Sequence, residues 1–131
     1  MKITPFDIHS TKEKQFGFRV LLSKGKVLVC LGAEPYNERS KPFLENADWL
    51  LSEAFCLYAD RDRYKPYEKH HSTARDAAVL AGQLGVPNLV LYHTEDRSLS
   101  TRKVRYTEEA ESVFNGHVFV PDDLETIVVE D

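Results

Sequence analysis

The sequence predicts an α/β domain, on two patterns: short β-branched or aromatic runs alternate with helix-like stretches, and the buried runs end in polar loop residues. A chain of 131 residues, 42% hydrophobic and 29% charged, suits one packed core, so we expect residues 1–131 to form a single domain. No internal repeat or low-complexity tract interrupts it.

The elements follow in order. Residues 3–8 and 16–22 read as two strands joined by a polar, lysine-rich connector at 10–15. A glycine turn at 23–26 leads into 27–31, a continuous apolar run of the kind buried on both faces, which ends at Gly32. Pro35 and Pro42 punctuate a polar stretch reaching Asn46 that has room for a short helix. Trp49, Leu50 and Leu51 form a further strand ending near Ser52. Ser72 or Thr73 caps a helix over 74–84, where small and apolar residues recur at helical spacing until Gly85 and Pro87 stop it. Residues 88–92 are a buried strand ending at His93, 100–112 a second helix, and 117–120 and 124–129 two final strands.

Composition restricts function. A formal net charge of −4 sets up no long-range field for nucleic acid or an anionic membrane. Arg61, Arg63, Lys65 and Lys69 make a local basic cluster, read here as a solvated charged face. Two cysteines, Cys30 and Cys56, both adjoin apolar runs and are expected in the core of a protein kept reduced, so the expected location is cytoplasmic. No stretch is apolar enough to span a membrane, and residues 1–10 lack a secretory signal's apolar region.

Three histidines, His9, His71 and His93, fall in loops just after predicted strands, where a metal or catalytic site is assembled from separate strand ends. Spacing alone does not separate ligands from ordinary polar loop residues, and no Cys-x-x-Cys, His-Glu-x-x-His, phosphate loop or Gly-x-Ser-x-Gly elbow is present. His70 and His117 read as surface side chains. Glu53, just beyond an apolar run, is either a partly buried proton carrier or one half of an ion pair with an arginine.

Four segments together resemble the second half of the ribonuclease Z-like proteins of the metallo-β-lactamase superfamily. Phe6-Asp7-Ile8-His9 with Phe16-Gly17-Phe18-Arg19 is similar to the family's strand, ligand histidine and Gly-aromatic-Arg strand. Val27 to Gly32 is similar to the strand entering its Gly-Asp motif, with Ala33 where the family has a metal-bridging aspartate. Residues 46–55 are similar to its Ala-Asp-hydrophobic-His-Glu-Ala segment, with Ser52 in place of the histidine and Glu53 matching the glutamate. His71-Ser72-Thr73 and Leu89-Val90-Leu91-Tyr92-His93 complete the run.

The resemblance implies half of an αββα sandwich, a β-sheet with helices on one face. It implies a metal-dependent phosphodiester or ester hydrolase, with His9 and His93 as ligands of Zn2+, Fe or Mn and with His71 and Glu53 as the proton-handling pair. The family's His-x-His-x-Asp-His motif has no counterpart here, and neighbouring Glu34 is expected to point to the other face if strand geometry persists. The implied protein is therefore incomplete or inactive alone. It is expected to pair with a copy of itself, as a dimer, or with a separate N-terminal half, or to be a piece of a longer protein, and to act on RNA or a small phosphoester. The alternative is a non-catalytic oligomerisation or assembly module that keeps the fold.

Overall fold

The computed structural model describes residues 1–130. Six strands form one sheet in sequential order: β1 (Lys2–Asp7), β2 (Phe16–Leu21), β3 (Val27–Cys30), β4 (Trp49–Glu53), β5 (Asn88–Tyr92) and β6 (His117–Phe119). The first two pairings are antiparallel hairpins; from β3 to β6 all strands run parallel. Pro5 sits on the edge strand β1, where a missing N–H costs no ladder bond.

Four helices fill the crossovers: α1 (Lys41–Leu44), α2 (Arg61–Tyr64), α3 (Ala74–Leu84) and α4 (Arg102–Glu111). Parallel crossovers are right-handed, and every step from β3 to β6 moves the same way across the sheet, so all the crossover helices are directed to one face. On that face Phe6, Val29, Leu50, Leu89 and Leu91 share one core with Ala74, Ala77, Ala78 and Ala81 of α3 and with Tyr106 and Ala110 of α4. The alanine stripe lets α3 approach the sheet closely. A capping box of Thr73 and Asp76 starts this helix, and Gly85, at φ 68°, ends it.

The opposite face carries Ile3, Phe18, Leu28, Cys30, Trp49, Leu51, Val90 and Phe119, as the strand register requires. No helix covers it: Ile3 is 57% and Phe18 39% exposed, whereas Val20, Trp49 and Val90 nearer the middle are buried. Trp49 packs on Phe119, with ring centroids 5.2 Å apart.

Two expectations change, and one element is new. Residues 124–129 are not a strand of the sheet: Asp122 to Glu125 closes a turn, Leu124 is exposed at φ 67°, and the backbone from Thr126 to Val129 makes no hydrogen bond among the described residues. Its apolar alternation shows only in burial, with Ile127 and Val129 half-buried and Thr126 and Val128 exposed. Ion pairs from Lys103 hold one end at Asp122 and Glu125, and Glu130 accepts hydrogen bonds from the Lys24 N–H and Ser23 hydroxyl at the other. Cys56 is in the core, but Cys30 is only half-buried, because its strand position turns it to that face, 3.4 Å from the Tyr92 hydroxyl. The short helix α2 had no sequence signal.

Gly17 marks a close approach: a Cβ there would lie 2.5 Å from the Cys30 carbonyl and 2.7 Å from the Phe6 ring. Gly17→Ala is expected to lower unfolding free energy by about 1–3 kcal/mol in urea denaturation, the usual cost of overpacking. An unchanged midpoint would show that β2 and β3 can separate freely.

Candidate active site

β4 ends with Glu53, and the chain then runs beside the segment that opens α3. Phe55 N–H donates to the Ser72 carbonyl, and Cys56 bridges Thr73. This places residues 71–73 over the Glu53 carboxyl, whose residue has no exposed surface. The Ser72 N–H donates to Oε1 at 2.5 Å and its hydroxyl lies 2.8 Å from the same oxygen, while His71 Nδ1 is 3.1 Å from Oε2. The partner of Glu53 is therefore a histidine, not an arginine. Sequence reading treated Ser72 only as a possible helix cap; the cap is Thr73, and Ser72 faces the carboxyl.

Burial pushes the Glu53 carboxyl up to about 7; Ser72's N–H and hydroxyl oppose this, and the charges of Asp76 and Glu34 add to it. Burial also holds the His71 imidazole below its usual range, helped by His93. The two groups thus favour a neutral pair that shares one proton near neutral pH. Phe55 stacks on the His71 ring at 4.9 Å and fixes its plane, and the His93 ring lies 5.4 Å away on β5's terminal loop. Nδ1 is committed to Glu53, so Nε2 is the nitrogen free for other work.

The remaining candidates lie nearby. His9 is half-buried, with its N–H 2.7 Å from Asp7 Oδ1, and it lines a cavity of about 180 Å³ with Glu34, Tyr36 and His70. A second cavity, of about 270 Å³, is lined by His71 and shares Pro35 and Tyr36 with the first. The structure thus gathers Glu53, His71 and His93, and leaves His9 across the Pro35–Tyr36 wall. His9, His70 and His93 all adopt left-handed backbone conformations, at φ 58° or 59°. His70 and His117 are exposed.

Glu34 departs from its expected place. β3 stops at Cys30 and Gly32 turns at φ 84°, so strand alternation no longer governs residue 34. Its carboxylate is 7% exposed, its Oε1 has no hydrogen-bond partner, and its charge is felt at both Glu53 and His71. Ala33 supplies no ligand atom. Among the described residues no three His, Cys, Asp or Glu side chains converge as a metal-binding group, so this chain's residues do not by themselves fit a metal ion.

Arg63, Lys65 and Lys69 of the basic cluster are exposed, while Arg61 is half-buried, laid 3.9 Å over the Tyr58 ring. No described helix is long and apolar enough to cross a membrane.

No family model matches the chain. Among curated proteins it is 32% identical over 107 residues to ribonuclease Z of Bacillus mycoides (strain KBAB4), a match covering 82% of this chain and 34% of that protein. Ribonuclease Z of Bacillus cereus (strain B4264) matches at 31% over the same share of each. The metallo-β-lactamase fold protein YhfI of Bacillus subtilis superposes with a TM-score of 0.71 at 26% identity, over 91% of this chain and 46% of that one. The short form of human tRNase Z has the same fold, with a TM-score of 0.71 at 24% identity, over 98% of this chain and 42% of its own. The chain thus spans about a third of the length of the curated relatives it matches.

The raised carboxyl and lowered imidazole give opposite pH slopes. Glu53 binds its proton more tightly folded than unfolded, so its contribution to stability is present below pH 4.5 and is lost as pH rises to about 7, by roughly 3 kcal/mol at most. His71 contributes stability above pH 6.5 that is lost as pH falls through its lower folded value. In Glu53→Gln, urea titrations across this range should lose the first slope and retain the second. A variant whose profile matches that of the unaltered chain would mean that Glu53 ionises normally.

Proposed function

Because the chain belongs to the ribonuclease Z-like part of the metallo-β-lactamase superfamily, we propose that it is the C-terminal half of a metal-dependent hydrolase of phosphodiesters or esters, RNA among them, completed by residues outside this chain. The observation that carries this reading is the buried Glu53–His71 pair. A carboxyl held by two Ser72 donors and one imidazole nitrogen, with the other nitrogen free, is an arrangement for delivering a proton to a leaving group near neutral pH. Phe55 sets the ring plane and Glu53 sets which nitrogen carries the proton.

His9 and His93 are proposed as this chain's contribution to a metal centre, of zinc, iron or manganese. The other ligands, and any step that uses the metal, lie with the half that supplies the His-x-His-x-Asp-His motif. The uncovered apolar face supports the same view, since such a surface on an otherwise packed sheet calls for a second layer. Two unpaired cysteines suit a reducing compartment, and we place the protein in the cytoplasm.

One observation favours the assembly-module alternative: no three metal donors converge among the described residues. The readings separate on mixing this chain with the part of Bacillus mycoides ribonuclease Z that it does not match. A complex that hydrolyses bis(4-nitrophenyl) phosphate only with metal supports the hydrolase; a stable complex with bound metal and no hydrolysis supports the module. In an active complex, His71→Ala should cut turnover by about 10²–10⁴ while bound metal, read by elemental analysis, stays constant. Equal loss of both would make His71 a ligand. For the chain alone, solution scattering should show a dimer or larger species, and a closed monomer would contradict the need for a second layer.

A further inference from the structure

His71 is the one member of the proton pair that reaches a cavity wall, since Glu53 has no exposed surface. That cavity, about 270 Å³, lies on the α3 side of the ring. Its walls include the side chains of Tyr36, Tyr67, Ala77 and Leu80, and no lysine or arginine lines it. The one acidic side chain there is Asp76, which accepts hydrogen bonds from the Tyr67 hydroxyl and from Thr73 while it completes the cap of α3. An anion would meet a carboxylate and no cation, so a phosphate is disfavoured. Two phenol rings, an alanine and a leucine instead offer faces to a flat uncharged group, and Ser52 on β4, small and turned to the helix side, leaves room for it.

We propose that this cavity binds an uncharged aromatic alcohol, a phenol or a group of nucleobase size, with its hydroxyl at His71 Nε2. Within the reading above, on which this rests, the cavity is the leaving-group subsite: the substrate's charged centre lies on the His93 side of His71, and the group released lies between Tyr36, Tyr67 and Leu80. The enzyme would then choose its substrate by the apolar part that departs.

The test is binding to the full chain and does not require the second half. Phenol is titrated into the isotopically labelled chain, and the ring carbon–proton signals of the five histidines are followed by NMR. The expected result is a saturable shift at His71, with His117 unmoved as an internal control. Leu80→Trp, at the half-buried rim, should weaken binding about tenfold or more, roughly 1.4 kcal/mol, with the phenol-free His71 signal in place as evidence of folding. No shift at His71, equal affinity in Leu80→Trp, or a larger response to inorganic phosphate would each overturn the subsite. If phenol binds and the reconstituted complex is inactive, the hydrolase reading fails and the pocket stands; the converse leaves the pair and removes the pocket.

Discussion

A carboxyl group at the end of the fourth strand, stripped of water, needs donors, and the path of the chain from Glu53 to α3 is arranged to provide them. Leaving such a group unpaired costs several kcal/mol, so the segment bearing His71 and Ser72 is locked over the strand end before any chemistry is considered. The same lock starts the longest helix, because the Ser72 N–H turned to Glu53 is followed directly by the Thr73–Asp76 box. One buried carboxyl thus fixes the register between β4 and α3, and with it the orientation of the imidazole.

Strand order supplies the second constraint. A parallel series that always steps in one direction places its crossover helices on one side, so the molecule has one finished face and one unfinished face. The finished face is a dense layer of leucine, valine and alanine. The unfinished one keeps Trp49 and Phe119 together under no helix. The Glu53 carboxyl and this face belong to the same strand: Glu53 and Leu51 are two residues apart on β4 and share a side.

Local signals told most of the fold. Residues 74–84 and 88–92 carry their own boundaries, Thr73 and Gly85 for the helix and a compact apolar run for the strand, and both elements lie where their sequence says. Residues 124–129 misled because period-two apolarity reports one buried side and not a hydrogen-bonded neighbour. The site was legible as a set of loop residues following strands, but its geometry was not. Nothing local says that Ser72 turns toward Glu53, that Phe55 stacks on His71, or that a turn at Gly32 carries Glu34 inward, because each depends on segments far apart in the chain.

The histidines at 9, 70 and 93 share a backbone conformation that L-residues adopt at some cost and that asparagine and glycine adopt readily. The scaffold therefore does not defend these imidazoles: replacing one by asparagine or glycine would leave the local turn at ease and the fold intact. Glu53 and Ser72 are embedded in the packing and cannot drift so cheaply. In descendants of such a domain the peripheral imidazoles would be the first parts to erode and the buried carboxyl the last, each loss passing through a folded ancestor.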